Sequence, residues 1–203
     1  CHLLANQVEE AKLYLNKATE ISPDNATVGW NTVRLILIEE KPLEALNLAR
    51  DISQKFPDDI EGMGVLGACL RANGEMVESL SVLNTALELN PDYAEAYINR
   101  GLIRLSQENK SEALPDFEKA HKLKPHVKQI WDLVIELKME AQEYSDAIPL
   151  LINMIEINPE NEKRFATLAV CYQHLNNYDQ AVVFYKKAIA LKTDFLEAWT
   201  NLG

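Results

Sequence analysis

Three carboxylates near the middle of the chain have a spacing that could bind a cation. Asp132, Glu136 and Glu140 are four residues apart, so a helix would carry them in one stripe on a single face. Such a stripe could receive a basic residue of a partner. The alternative is that charged side chains on an exposed helix face serve only to keep that face solvated.

A glycine pattern at residues 62–67 has the form of a dinucleotide-binding motif. Gly62, Gly64 and Gly67 read G-x-G-x-x-G, which can cradle a cofactor only between a strand and a helix. The preceding residues, FPDDIE, do not have a strand pattern. We therefore expect no cofactor, a close helix contact at Gly67, and a helix loosened at Gly62 and Gly64 by about 1 kcal/mol each.

Histidines and cysteines form no recognisable site. The four histidines lack partners at metal-ligand spacing: His2, His121, His126 and His174. Cys1, Cys69 and Cys171 recur at one position of the repeat described below, where we expect buried, unpaired thiols and thus a cytoplasmic protein. No serine has a recognisable histidine and acid arrangement around it. We expect no catalytic residue, no metal and no enzyme activity within the chain.

Charge and hydropathy limit the partners. The net charge is −11 with only 20 lysine and arginine residues, which disfavours nucleic acid and anionic membranes. No apolar run approaches the roughly 20 residues that span a bilayer. A protein or peptide is the expected partner.

Prolines recur every 34 residues, a period typical of stacked helical hairpins. They stand at positions 23, 57, 91, 125 and 159, and Thr193 continues the series. Small and large residues keep the same period, as in the column Ala11, Ala45, Ser79, Ala113, Ala147 and Ala181. The pattern predicts an all-α fold in a single array. It divides into a half repeat at 1–25, full repeats at 26–59, 60–93, 94–127, 128–161 and 162–195, and the start of another at 196–203.

These columns resemble the tetratricopeptide repeat (TPR) family. The aromatic residue, leucine and glycine of each first helix, the alanine of each second helix and the closing proline match it best in 94–127 and 162–195. The match is weakest in 26–59, where Gly29 replaces the aromatic residue and Val33 the glycine. The resemblance implies a right-handed superhelical solenoid of antiparallel helix pairs, with a concave groove lined by first helices.

The resemblance also implies which residues line that groove. They are Trp30, Asn31, Arg34, Leu37, Arg71, Ile98, Asn99, Leu102, Asp132, Glu136, Glu140 and Val170. Trp30 would lead an exposed apolar patch, and Arg34 and Arg71 would offer isolated positive charges. Asn31, Asn99 and Asn201 match asparagines that contact bound polypeptide backbone in O-linked N-acetylglucosaminyltransferase arrays, whereas Val65, Leu133 and Thr167 interrupt the series.

The leading hypothesis for function is a protein–protein interaction scaffold that holds an extended polypeptide, with basic residues meeting the acidic stripe. An alternative is a substrate-recruiting array in a larger glycosyltransferase or sulfotransferase whose catalytic domain lies outside these residues. A third is a structural scaffold that self-associates through its uncapped ends.

Overall fold

The computed structural model describes residues 2–202, with side chains from residue 7 onward. It contains α1 (His2–Ile21), α2 (Ala26–Ile38), α3 (Pro42–Lys55), α4 (Ile60–Ala72), α5 (Met76–Leu89), α6 (Ala94–Ser106), α7 (Lys110–Leu123), α8 (Lys128–Glu140), α9 (Tyr144–Ile157), α10 (Glu162–His174), α11 (Tyr178–Leu191) and α12 (Leu196–Leu202). No strand occurs within residues 2–202. The predicted all-α fold of helix pairs is confirmed.

These helices form two compact units. The N-terminal unit ends at Lys124 and contains α1–α7, and the C-terminal unit begins at Pro125 and contains α8–α12. In the N-terminal unit each first helix packs on its own second helix, and the first helices α2, α4 and α6 also pack on one another. In the C-terminal unit α10 packs on both α9 and α11.

The turn inside each helix pair has one residue with positive φ, and this residue also recurs every 34 positions. Glu40, Gly74, Glu108, Gln142 and Asn176 have φ values between 59° and 82°. This conformation places Cβ too close to the following carbonyl oxygen in residues other than glycine. Of the five, only the turn at Gly74 avoids that cost.

The predicted core columns are buried. The small-residue column from Ala45 to Ala181 is buried in all five full repeats, and Ser79 fits there because its hydroxyl donates to the Gly67 carbonyl at 2.7 Å. A Cβ on Gly67 would lie 2.6 Å from Leu83, and one on Gly101 would lie 2.9 Å from Phe117. The predicted close contact at Gly67 is therefore confirmed.

The expectation of a merely loosened helix at Gly62 and Gly64 was wrong. A Cβ on Gly62 would overlap the Trp30 indole, and a Cβ on Gly64 would overlap the Tyr93 ring. Both glycines make room for aromatic rings from other segments, Trp30 of α2 and Tyr93 just before α6, and all three glycines of the pattern lie inside α4. The motif is thus explained by helix packing.

Candidate functional site

Trp30 is a core residue, and its predicted place on an exposed apolar patch was wrong. Its side chain is only 1% exposed, and its indole Nε1 donates to Asp59 Oδ2 at 2.7 Å. Asp59 also caps α4, so Trp30 ties α2 to the start of the next first helix. The ring lies against Gly62, the one signal in the sequence that could have indicated this packing.

Arg34 is also not the isolated positive charge that the sequence suggested. Its guanidinium donates from Nη2 to Glu61 Oε1 at 2.7 Å and from Nη1 to Asn31 Oδ1 at 2.9 Å. The side-chain oxygen of Asn31 is therefore already used within the chain. Because Arg34 and Glu61 are 27 residues apart, helical spacing alone does not reveal the pair.

Arg71 keeps its predicted isolation. No described residue forms an ion pair with it, and its buried Nε has no hydrogen-bond partner among the residues of known placement. Burial lowers the pKa of its guanidinium from the ordinary value, because the charged form loses hydration. A half-buried, unpaired cation is costly, and an acceptor supplied by a partner would relieve that cost.

The other predicted residues of the N-terminal unit are half-buried on the first helices. Leu37 and Asn99 line a small pocket of about 100 Å³ with Arg34, Val65 and Tyr93. The Asn99 amide donates to the Glu95 carbonyl of its own helix at 3.1 Å, which leaves its side-chain oxygen as the acceptor it can offer. The two remaining predicted residues of this unit, Ile98 and Leu102, lie on α6 with Asn99 and are also half-buried.

The acidic stripe of the C-terminal unit lines a much larger pocket. Asp132, Glu136 and Glu140 are exposed on α8, at the edge of a pocket of about 460 Å³. We call it the acidic pocket. Its apolar part comes from α8 and α9, and consists of Ile135, Met139, Leu151 and Met154. Carboxylates beside an apolar wall suit a long side chain with an aliphatic stem and a cationic end.

Two cations of α10, Lys163 and Arg164, also line the acidic pocket, and the groove positions implied by the family resemblance do not include Arg164. The Arg164 guanidinium lies 4.0 Å from Asp132 Oδ1 and donates to the Met154 carbonyl at 3.2 Å. Lys163, on the pocket edge, is exposed. Arg164 partly neutralises Asp132, whereas Glu136 forms no ion pair with any described residue. The negative charge available to a partner is therefore centred on Glu136.

Val170 lies apart from the acidic pocket. It is half-buried against the core cluster of Phe165, Ala166 and Tyr185.

The thiols of Cys69 and Cys171 are buried and unpaired, as predicted, and Cys1 lies outside the described residues. Burial raises the pKa of Cys69 to about 12 and that of Cys171 to about 11, because the thiolate loses hydration. The Cys171 thiol contacts the Met139 sulfur at 3.2 Å. These values describe inert core thiols, not nucleophiles.

The described residues contain neither a metal-binding cluster nor a membrane-spanning helix. No group of three or more histidine, cysteine, aspartate or glutamate side chains in residues 7–202 is arranged to hold a metal ion. Among the helices of described placement, none is long and apolar enough to cross a membrane.

Stacked helix pairs that expose polar and apolar side chains on their first helices define a protein-interaction scaffold. Family models described as "Tetratricopeptide repeat" match residues 1–25, 94–127 and 138–202, and one described as "TPR repeat" matches residues 67–108. The chain belongs to the tetratricopeptide repeat family.

Its relatives are much longer proteins. The human Protein O-mannosyl-transferase TMTC3 is 26% identical over 98% of this chain and 22% of its own length. Superkiller complex protein 3 of Mus musculus is 27% identical over 53% of the chain and 7% of its own length. Anaphase-promoting complex subunit 3 of Schizosaccharomyces pombe is 22% identical over 90% of the chain and 28% of its own length. The chain spans less than a third of each.

Solved structures show the same fold. YrrB, described as a TPR protein with an unusual peptide-binding site, superposes with a TM-score of 0.69 at 17% identity, over 92% of this chain and 96% of YrrB. Pseudomonas aeruginosa pilF gives a TM-score of 0.71 at 20% identity, over 98% of this chain and 91% of that one.

Proposed function

We propose that the chain binds an extended polypeptide through its first helices, and that the acidic pocket receives a lysine or arginine side chain of that partner. The observation that carries this proposal is the composition of the pocket. An apolar wall and a row of carboxylates occur within one concave site of about 460 Å³.

A lysine side chain matches both parts of the acidic pocket. Its methylene stem would lie on Met139 and Met154, and its ammonium group would reach Glu136, which forms no ion pair with any described residue. An arginine would fit in the same way. A glutamate in this position would meet like charges and should be rejected.

The N-terminal unit offers a different contact, which we propose as a second part of the interaction. Arg71 is an unpaired cation among the described residues, and a peptide carbonyl or carboxylate would supply the acceptor it lacks. Asn99 retains a side-chain oxygen that can accept from a peptide N–H. Leu37, Ile98 and Leu102 would contact apolar side chains.

The test uses fluorescein-labelled peptides recovered from a random 16-residue display library on the immobilised wild-type chain. Fluorescence anisotropy would compare the wild type with the triple variant Asp132→Asn, Glu136→Gln, Glu140→Gln. Each exposed carboxylate is worth about 0.5 kcal/mol, so the triple variant should bind lysine-containing peptides about tenfold more weakly. Salt should weaken wild-type binding and affect the variant less.

A matched control separates the acidic pocket from general electrostatics. The variant Glu156→Gln, Glu160→Gln, Asp179→Asn removes the same charge from exposed positions outside the pocket. It should bind as the wild type does. Equal weakening by both triple variants would reduce the effect to net charge and overturn the assignment of the pocket.

The alignment with TMTC3 over nearly the whole chain favours one alternative, in which the array recruits substrates for a catalytic domain in the parent protein. TMTC3 is named as a mannosyl transferase, and the aligned region is about a fifth of it. The parent reading frame distinguishes the two cases. A transferase domain encoded beside these repeats would support recruitment, and its absence would leave the scaffold.

Two further expectations belong to this proposal. We place the protein in a reducing compartment such as the cytoplasm, a placement supported by its free, buried cysteines. Self-association is also proposed, because Leu196 and Trp199 of α12 expose apolar surface. A concentration-independent monomer mass in light scattering would exclude it.

A further inference from the structure

At one position of the repeat, an aromatic side chain donates a hydrogen bond to the backbone just before its own first helix. Six residues after the proline position, Tyr97 donates from its hydroxyl to the Pro91 carbonyl at 3.1 Å. Trp131 donates from Nε1 to the Pro125 carbonyl at 2.7 Å, and Trp199 to the Thr193 carbonyl at 2.9 Å. In three repeats the same geometry therefore pairs an aromatic donor with the same backbone acceptor.

In the repeat 26–59 this position is Gly29, and a pocket of about 500 Å³ lies there in place of the ring. We call it the Gly29 pocket. Val28, Leu48 and Ile52 give it apolar walls, and Pro23 lies at the position whose carbonyl accepts the aromatic donor elsewhere. No described residue donates a hydrogen bond to the Pro23 carbonyl.

The equivalent site in the repeat 128–161 shows what a ring does to this space. The two pockets share four positions of the repeat, which are Pro23 and Pro125, Gly29 and Trp131, Ile52 and Met154, and Lys55 and Ile157. With Trp131 present the pocket measures about 250 Å³, half the volume found at Gly29. The pocket is thus about twice as large in the repeat that has glycine where the sister repeat has an indole.

Ile52 fills part of this space without closing it. A Cβ on Gly29 would lie 2.8 Å from Ile52 Cδ1. The repeats of Tyr97 and Phe165 have the smaller alanine at the position of Ile52, namely Ala120 and Ala188. The Trp131 repeat shows that a ring and a large neighbour can coexist, because Met154 occupies that position there. Ile52 thus does not prevent a ring from entering.

We propose that the Gly29 pocket binds a tryptophan or tyrosine side chain of a partner polypeptide, with the indole N–H or phenol O–H donating to the Pro23 carbonyl. The occupant is defined by the chain itself, since three sister repeats hold such a ring at this position. Aromatic rings bury much apolar area and keep one polar edge, which fits apolar walls with a single acceptor. The residues of this pocket are all different from those of the acidic pocket, so the two proposals are independent.

The test is an NMR titration of the whole chain with N-acetyl-tryptophanamide. The amide signals of Gly29 and Thr32 and the methyl signals of Val28 and Ile52 should shift saturably, with a dissociation constant of about 1 mM. N-acetyl-leucinamide should bind at least fivefold more weakly. The 1-methyl-indole analogue, which lacks the N–H donor, should also bind more weakly than the unmodified probe.

A variant that copies a sister repeat supplies the second arm. Gly29→Tyr with Ile52→Ala reproduces the combination of Tyr97 and Ala120, and should weaken probe binding at least tenfold. Ile52→Ala alone keeps the glycine and should bind the probe at least as well as the wild type. Neutralising the acidic stripe should change nothing at this site.

Three results would overturn the proposal. They are no shift at Gly29 with 10 mM probe, equal binding of the leucine amide, and unchanged binding by the folded double variant. The comparison of the three probes needs only the wild-type chain, so it decides the question even if the double variant does not fold.

Discussion

Replacing Asp116 by asparagine should destabilise the N-terminal unit more than any other Asp-to-Asn change in it. The Asp116 side chain is 3% exposed and lies between two arginines of α6. Arg100 donates to it from Nη2 at 2.6 Å and from Nε at 3.0 Å, and Arg104 donates from Nη1 at 2.7 Å. The hydrogen bonds to this carboxylate raise the pKa of the Arg100 guanidinium.

The magnitude follows from what the variant leaves behind. Removing one partner of a fully buried ion pair costs about 3–5 kcal/mol, because the remaining charge is unpaired. The side chains of Arg100 and Arg104 are 18% and 23% exposed, so water can partly rehydrate them. Asparagine also keeps one acceptor oxygen at the same place. We expect a loss of about 2–3 kcal/mol in the free energy of unfolding.

Urea denaturation followed by circular dichroism would measure this loss, and the melting temperature should fall by about 4–12 °C. Asp92→Asn is the matched control, because Asp92 pairs with Lys119 at 2.8 Å but is 71% exposed. That pair should be worth less than about 0.5 kcal/mol. A change of similar size in both variants would refute the argument from burial.

Four other stability and reactivity effects follow from the structure. Gly74→Ala should lower the free energy of unfolding by about 1–2 kcal/mol, because the φ of residue 74 is 82°. Glu108→Gly should raise it by about 0.5–1 kcal/mol by relieving the same backbone strain, and urea denaturation midpoints would measure both changes. In a Cys1→Ser background, iodoacetamide at pH 8 should alkylate Cys69 and Cys171 at least about 100-fold more slowly in the folded than in the unfolded chain. Burial raises the pKa of Cys69 from the ordinary 9.0 to about 12 and that of Cys171 to about 11, so little reactive thiolate is present. The same shifts predict that the contribution of these two thiols to stability is constant well below pH 9 and is lost as pH rises toward those values, since the folded chain then holds protons that the unfolded chain releases. Trp30→Phe should cost at least about 2 kcal/mol in urea denaturation, because it removes a charge-assisted hydrogen bond from a buried ring.

The paired helices and their core could be predicted because they depend on local periodicity. Prolines every 34 residues fix the length of each hairpin, and the small and large columns fix the faces that pack. The buried column from Ala45 to Ala181 was identified from sequence alone for this reason. Each of these signals acts within one repeat or between adjacent copies.

The candidate site was harder because it depends on which neighbour each side chain meets. Trp30 was assigned to the surface by its repeat position, yet Gly62 of the next repeat makes room for its ring and Asp59 accepts its N–H. The pairing of Arg34 with Glu61 likewise joins two repeats. Such contacts depend on the particular residues of two copies, and the period says nothing about them.

The distinction between the acidic pocket and a merely solvated face has the same origin. The spacing of Asp132, Glu136 and Glu140 shows that they share one stripe, which both interpretations require. The wall of Met139 and Met154 beside that stripe comes from two helices of the folded unit, and sequence spacing does not reveal it.

A charge-reversal experiment tests the central claim most directly. Anisotropy would be measured for a lysine-containing peptide and its Lys→Glu counterpart, each with the wild type and with Glu136→Lys. Binding of a basic side chain in the acidic pocket predicts that Glu136→Lys weakens the lysine peptide at least tenfold and binds the glutamate peptide at least tenfold better than the wild type does. Equal binding of both peptides by both chains would contradict it.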